Sequence, residues 1–237
     1  MNTSTPEPPR RVDDELELLA ELLPPQRGLD IVELGCGNAR LARALLQRYP
    51  GCRVTGLEVD ARQHAKNLAS PQPGLRFVAA GAEAIPFPDA SFDVALMLKS
   101  LHHVPMPLMA QALAETRRVL RAGGLLYVSE PVYDGAFNEV MRLFNDERVV
   151  RAAAQAALDA ALAALAWEPA AERRFAMPVD FADFDDFERR MMHPTFAEHR
   201  IDEAKRAEVR AAFAPHLGAA GAHFERPMHV RVLRRTD

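Results

Sequence analysis

The sequence predicts an α/β protein with a doubly wound, mostly parallel sheet of seven strands. The last strand is expected to be antiparallel, and a helical insertion is expected after strand five. Three observations carry this expectation. Short apolar runs alternate with stretches of helical spacing through the first half of the chain. The run FDVALML, residues 92–98, reads as a strand buried on both faces, as parallel sheets require. The stretch IVELGCGNAR, residues 31–40, carries a strand into a glycine-rich turn and then into a helix.

Taken in order, Asp13 and Asp14 precede ELELLAELL, in which Leu16, Leu19 and Leu23 share one helical face before Pro24 and Pro25 stop the helix. Residues 29–34 form the first strand. Residues 38–49 form a helix with Asn38 as its cap and Leu41, Leu45 and Tyr49 on one side. Strand two is 53–58, the next helix is 60–69, strand three is 75–79 and strand four is 92–98. A helix over 105–121 leads through Gly123 and Gly124 into strand five, 125–130. The alternation then breaks. Residues 134–166 contain the Ala-rich run RAAAQAALDAALAALA, and the segment 131–166 is a candidate cap over the site. Residues 173–181 and 223–235 read as the last two strands, with helices over FADFDDFERRMM and DEAKRAEVRAAFAPHL between them.

The length of 237 residues suits one elaborated α/β domain over 12–237, preceded by a disordered Pro-rich lead-in over 1–11. The net charge of -4 gives no broad reason to expect nucleic acid. No run is long enough for a membrane span, and the first residues lack a signal core. The two cysteines, Cys36 and Cys52, form neither a disulfide framework nor a metal-type spacing, so the expected compartment is cytoplasmic. His193 and His199 lack matching ligands in sequence, and no metal is expected.

The glycine turn poses a choice of cofactor. Backbone without a Cβ lets a ligand approach closely, and the following helix offers free N–H groups. The dinucleotide fingerprint needs a third glycine for helix–strand packing, and Arg40 stands there. That weakens an NAD-linked oxidoreductase. Glu33-x-Gly35-x-Gly37-x-Ala39 instead resembles the first motif of class I S-adenosylmethionine (SAM) methyltransferases, with Ala39 replacing the last glycine. VTGLEVD, AAGAEAIPFPDASFDVALM, LKSLHHV and RRVLRAGGLLYVSEP follow in the family's order. The resemblance covers residues 29–131, the Rossmann-like core, and is nearest the ubiquinone-biosynthesis-like group of small-molecule methyltransferases.

The resemblance implies the roles. Gly35, Cys36 and Gly37 would bring backbone against the methionine part of SAM, and Glu33 would hold its ammonium. Glu58 would take the ribose hydroxyls, Ala82 and Glu83 would flank adenine, and Leu98 would lie near the sulfonium. Gly81 stands where the family often has an Asp facing the adenine amino group, with Glu83 as one alternative acceptor. His102, His103 and Glu130 are the candidate catalytic residues, although the His pair also serves as a turn feature in the family. Tyr133, Phe137, Asn138 and Met141 either line an acceptor pocket or pack structurally. Cys36 reads as small loop filler. The implied partner is a small-molecule acceptor, with no nucleic acid and no membrane. A SAM-binding protein without catalysis would keep every cofactor motif and is also consistent with these residues.

Overall fold

The computed structural model describes residues 10–23, 28–193 and 201–236. Residues 1–9 of the expected 1–11 lead-in, the Pro24-Pro25 stop and His199 lie outside them. The chain opens with β1 (Arg10–Arg11) and α1 (Glu15–Leu22), the latter capped by Asp14, whose carboxylate accepts the Leu16 N–H. The α/β alternation follows as β2 (Asp30–Leu34), α2 (Arg40–Arg48), β3 (Arg53–Leu57), α3 (Ala61–Leu68), β4 (Leu75–Val78) and β5 (Phe92–Leu98). After two short 3-10 turns come α4 (Met109–Val119) and β6 (Leu120–Pro131). The second half holds α5 (Gly135–Met141), α6 (Arg148–Ala163), β7 (Trp167–Phe181), α7 (Phe184–Phe187), α8 (Glu203–Phe213), β8 (Leu217–Gly218) and β9 (Gly221–Arg235).

One sheet runs through the molecule in the order β1-β7-β9-β6-β5-β2-β3-β4, with β8 paired to β9. Every pairing along that order is parallel except those of β9, which is antiparallel to both β6 and β7. Seven long strands are thus joined by two strands of two residues each. Arg10 and Arg11 pair with Phe175 and Ala176, so this end of the expected lead-in is sheet edge. Strand β2 lies between β3 and β5, where the winding reverses. The crevice beyond the carboxyl ends of those strands is where open α/β sheets bind ligands.

Both faces of the sheet are covered. Helices α1 and α2 pack Leu16, Leu19, Leu41 and Leu45 against Ile31, Val54, Val94 and Tyr127. On the other face α4 and α6 pack Met109, Leu113, Ala154 and Leu158 against Val32, Ala95, Leu126 and Val128. The expected cap over 131–166 therefore divides. Its Ala-rich part, α6, is a sheet-covering helix, because small side chains at Ala154 and neighbouring positions permit close approach to α4. Its first part, α5, joins α7, α8 and β9 around a separate cluster of Phe137, Phe181, Phe184, Phe187, Phe213 and Phe224. The alternation resumes after α6, since β7 starts at Trp167 rather than at 173. The Pro and Ala of WEPAAE have low strand propensity, and pairing with β9 overrides it.

Two local expectations change. The cap position of α2 is Ala39, in left-handed backbone with φ 57°, while the Asn38 side chain accepts the Arg40 N–H at 3.2 Å from one residue earlier. Strand β6 begins at Leu120. Residues 121–124 loop out of register between the Phe92–Leu120 and Val94–Leu125 pairs, around Gly123 at φ +71°.

Candidate active site

At the end of β2 the chain turns through Gly35, Cys36 and Gly37, with φ +72° at Gly35 and +52° at Gly37. The N–H groups of Gly35 and Cys36 both donate to the Leu57 carbonyl, at 3.0 and 2.9 Å, which ties the turn to β3. A Cβ on Gly35 would fall 2.8 Å from Ser100 Cβ, so this glycine is required by the turn that follows β5. A Cβ on Gly37 would meet nothing within 4 Å; there glycine serves the backbone conformation. Ala39, the third residue of the pattern, adopts left-handed backbone at a cost on the order of 1 kcal/mol.

Glu58 stands directly after β3 and is tied to the same turn. Its Oε2 accepts the Gly37 N–H and its Oε1 accepts the Asp60 N–H, both at 2.8 Å. Each carboxylate oxygen has a second lone pair, so the group is oriented and still able to accept two hydroxyls. Glu33 is buried, 4% exposed, and its Oε2 has no hydrogen-bond partner among the described residues. Burial pushes its carboxyl up to about 8, with Lys99 and Arg40 opposing the shift and Glu15 adding to it. Lys99, at φ 56°, pairs with the buried Glu15 of α1 at 3.1 Å, so the N-terminal helix forms part of the wall. Burial and the charges of Glu33 and Glu58 push the Cys36 thiol well above its ordinary range, and its Sγ packs over Gly56.

These groups open into one cavity of about 930 Å³. Glu33, Gly35, Cys36, Gly37, Glu58, Ala82, Glu83 and Leu98 all line it. Gly81 lines it too, and a Cβ there would overlap both carboxylate oxygens of Glu83. The Glu83 backbone is fixed by Gln111, whose amide donates to the Glu83 carbonyl at 2.8 Å.

The same cavity is bounded by His103, Val104, Asn145 and Glu147. His102 is buried behind His103, their ring centres 4.1 Å apart. His102 Nδ1 makes a short contact with Glu130, and the other Glu130 oxygen accepts the Leu101 N–H at 2.9 Å. Burial, then the adjacent His102, lowers the pKa of His103. Glu147, which the sequence reading missed, lies 3.9 Å from His102 Nε2 and is held by Arg151 at 2.6 Å and Asn145 at 3.0 Å. Its one sequence signal was the i,i+4 spacing to Arg151 at a helix start. Glu15, Lys99 and Asn145 were also missed, because nothing local marks them as neighbours. Donor atoms of His102, His103 and Glu147 come within 4.8 Å of one another, with Nδ1 of His102 committed to Glu130 and Glu147 to Arg151. His193 is distant from that group in sequence and lies 4.0 Å from Glu188.

Of the four residues after strand five, Phe137 and Met141 belong to the aromatic cluster, and the Asn138 side chain bonds to Arg151. Tyr133 lies under the Arg148 guanidinium. None of the four lines the cavity.

Residues 32–128, the segment that carries the glycine turn, Glu58, the Gly81–Glu83 stretch and the histidine pair, match the methyltransferase domain family. The segment carries a methyltransferase domain. The chain is 34% identical over 116 residues to 27-O-demethylrifamycin SV methyltransferase of Amycolatopsis mediterranei, covering 47% of this chain and 42% of that protein. It is 33% identical over 121 residues to the ubiquinone/menaquinone biosynthesis C-methyltransferase of Paracoccus denitrificans, covering 47% and 46%. The chain thus spans less than half the length of these relatives. The YcgJ protein of Bacillus subtilis shares the fold across 94% of this chain and 98% of its own, with a TM-score of 0.68 and 17% identity. No described helix is long and apolar enough to cross a membrane.

Proposed function

We propose that this chain binds SAM in the cavity and transfers its methyl group to a small-molecule acceptor. The observation that carries the reading is Glu33: a buried carboxylate with an unpartnered oxygen, at the crevice between β2 and β5, calls for a cation. The ammonium of SAM is such a cation. Glu58, already oriented by Gly37 and Asp60, fits the ribose hydroxyls. The backbone of Gly35, Cys36 and Gly37 passes the methionine part, Ala82 and Glu83 flank the adenine, and Leu98 walls the side where the methyl is presented. Two of the relatives, the 27-O-demethylrifamycin SV methyltransferase and the ubiquinone/menaquinone biosynthesis C-methyltransferase, are named for small-molecule chemistry, which supports the same acceptor class here.

When bound, SAM supplies a methyl group on a positively charged sulfur that leaves as a neutral thioether. The chain needs only to hold donor and acceptor in line and keep water out. Where the attacking atom is a hydroxyl, its proton must go to a base. His103 fits that place: it faces the cavity, and its lowered pKa keeps the ring neutral and able to accept at pH 7. Glu130 positions His102 behind it.

Calorimetry with SAM, S-adenosylhomocysteine, NAD and NADP tests the binding half. Binding of the first two alone is expected, and NAD binding without either SAM compound refutes the reading. Release of S-adenosylhomocysteine on incubation with SAM and a metabolite extract separates an enzyme from a protein that only binds SAM.

A further inference from the structure

We infer that the junction of α5, α6 and β9, next to the Glu147 wall of the cavity, binds an oxyanion, a carboxylate or phosphate group carried by the acceptor. The inference rests on the reading of the cavity as a methyl-transfer site and names the class of molecule it takes.

Two guanidiniums and one carboxylate meet there. Arg151, in the first turn of α6, is committed: it holds Glu147 at 2.6 Å and reaches the Asn138 side-chain oxygen at 3.1 Å and the Val132 carbonyl at 3.3 Å. Arg226, on β9, is not committed. Its guanidinium lies over the Phe137 ring, 4.7 Å from the centre. Its Nε is enclosed with no hydrogen-bond partner, and none of the ion pairs among the described residues includes it. Phe137, beneath Arg226, is the neighbour of Asn138, which Arg151 bonds, so the two arginines meet at α5. Burial is the main influence that lowers the Arg226 pKa, to about 10, with Arg151 acting in the same direction and Glu147 against it. The adjacent His102–Glu130 pair is matched within itself.

Asn138 supplies a second, independent sign. It is 5% exposed, its oxygen is used by Arg151, and its Nδ2 has no partner. The junction thus offers unused donors, from Arg226 and Asn138, while both Glu147 oxygens already accept from Asn145 and Arg151. Arginine does not escape burial by losing its proton, so an enclosed guanidinium is met by a counter-ion, and its planar fork matches carboxylate and phosphate oxygens. Glu147 belongs both to this cluster and to the cavity wall, so the junction adjoins the cavity through that residue. The Phe137 ring covers one face of the Arg226 guanidinium and leaves its edge donors for an anion.

The test uses the full chain, with and without saturating S-adenosylhomocysteine, and two matched pairs of probes: benzoate against benzyl alcohol, and phenyl phosphate against phenol. Binding is read by titration calorimetry. At least one anion is expected to bind tenfold or more tightly than its neutral partner, and which pair shows the preference distinguishes carboxylate from phosphate. Arg226→Met is expected to erase the preference while leaving the affinity for S-adenosylhomocysteine unchanged. Arg226→Lys, which keeps the charge and guards against a folding defect, is expected to retain part of it. Equal binding of anion and neutral partner in both pairs overturns the inference, as does a preference that survives Arg226→Met. Absence of S-adenosylhomocysteine binding counts against the cofactor reading instead, and the arm without it still reads the anion site.

Discussion

The carboxylate of Glu83 stands in the space that a side chain on Gly81 would occupy. Glycine at 81 thus leaves room for the Glu83 carboxylate on the cavity wall, where it can serve as the acceptor that a side chain at 81 does not supply. Glu83→Ala is expected to weaken SAM binding about tenfold, the scale of one hydrogen bond to a charged group. The pair Gly81→Asp with Glu83→Ala is expected to recover most of that loss. Calorimetry on the single and double variants checks it, and an additive second loss in the double variant would count against the exchange.

Glu58 has a structural task besides the one assigned to it. Removing its carboxylate leaves the Gly37 and Asp60 N–H groups without their acceptor. Glu58→Ala is therefore expected to lower stability by about 1–3 kcal/mol and to weaken SAM binding at least tenfold. Glu58→Gln, which keeps one acceptor oxygen, should recover part of the stability and less of the affinity. Thermal melts beside titrations separate the two effects; a folded Glu58→Ala variant with undiminished affinity removes Glu58 from the site.

Glu33 makes the ligand-free chain pH-sensitive. Its folded pKa, about 8, lies above the ordinary value of 4.5, so the folded chain holds a proton that the unfolded chain gives up. The sign follows: this contribution is fully present below pH 4.5 and is lost as pH rises toward 8. Between pH 4.5 and 7 the loss amounts to about 3 kcal/mol. Glu33→Gln is expected to flatten the stability profile over that window. SAM binding at pH 7 is expected to release a proton from Glu33, seen as a binding enthalpy that changes with the ionisation heat of the buffer. A buffer-independent enthalpy would show that the ammonium does not pair with Glu33.

The helices after strand five should respond unequally to ligand. Helix α6 is locked into the sheet face through Ala154 and Leu158, whereas α5 packs in the aromatic cluster and the turn after it, with Asn145 and Glu147, borders the cavity. Hydrogen exchange is expected to show new protection at 135–147 on adding S-adenosylhomocysteine and acceptor, and little change in 150–163. Equal change in both segments would mean that the whole of 131–166 moves together.

Strand and helix order was legible in the sequence because it rests on local periodicity and on turn chemistry. The run 92–98 is β5 to the residue, and α1 to α4 fall within the helical stretches expected. That the residues expected at the cofactor line one cavity has the same origin. Glu33 lies near the end of β2, the two glycines and Glu58 come just after β2 and β3, Glu83 lies in the loop after β4, and a parallel sheet brings strand ends to one edge. What tertiary structure alone decided are contacts between groups far apart in the chain. Examples are Glu15 with Lys99, Glu147 beside His102, Arg226 over Phe137, and the assignment of α6 to the sheet face. Apolar spacing shows that a helix has a buried face but not which surface buries it. A charge in sequence does not reveal its partner, since ion pairs form across the folded chain wherever packing leaves a charge without water.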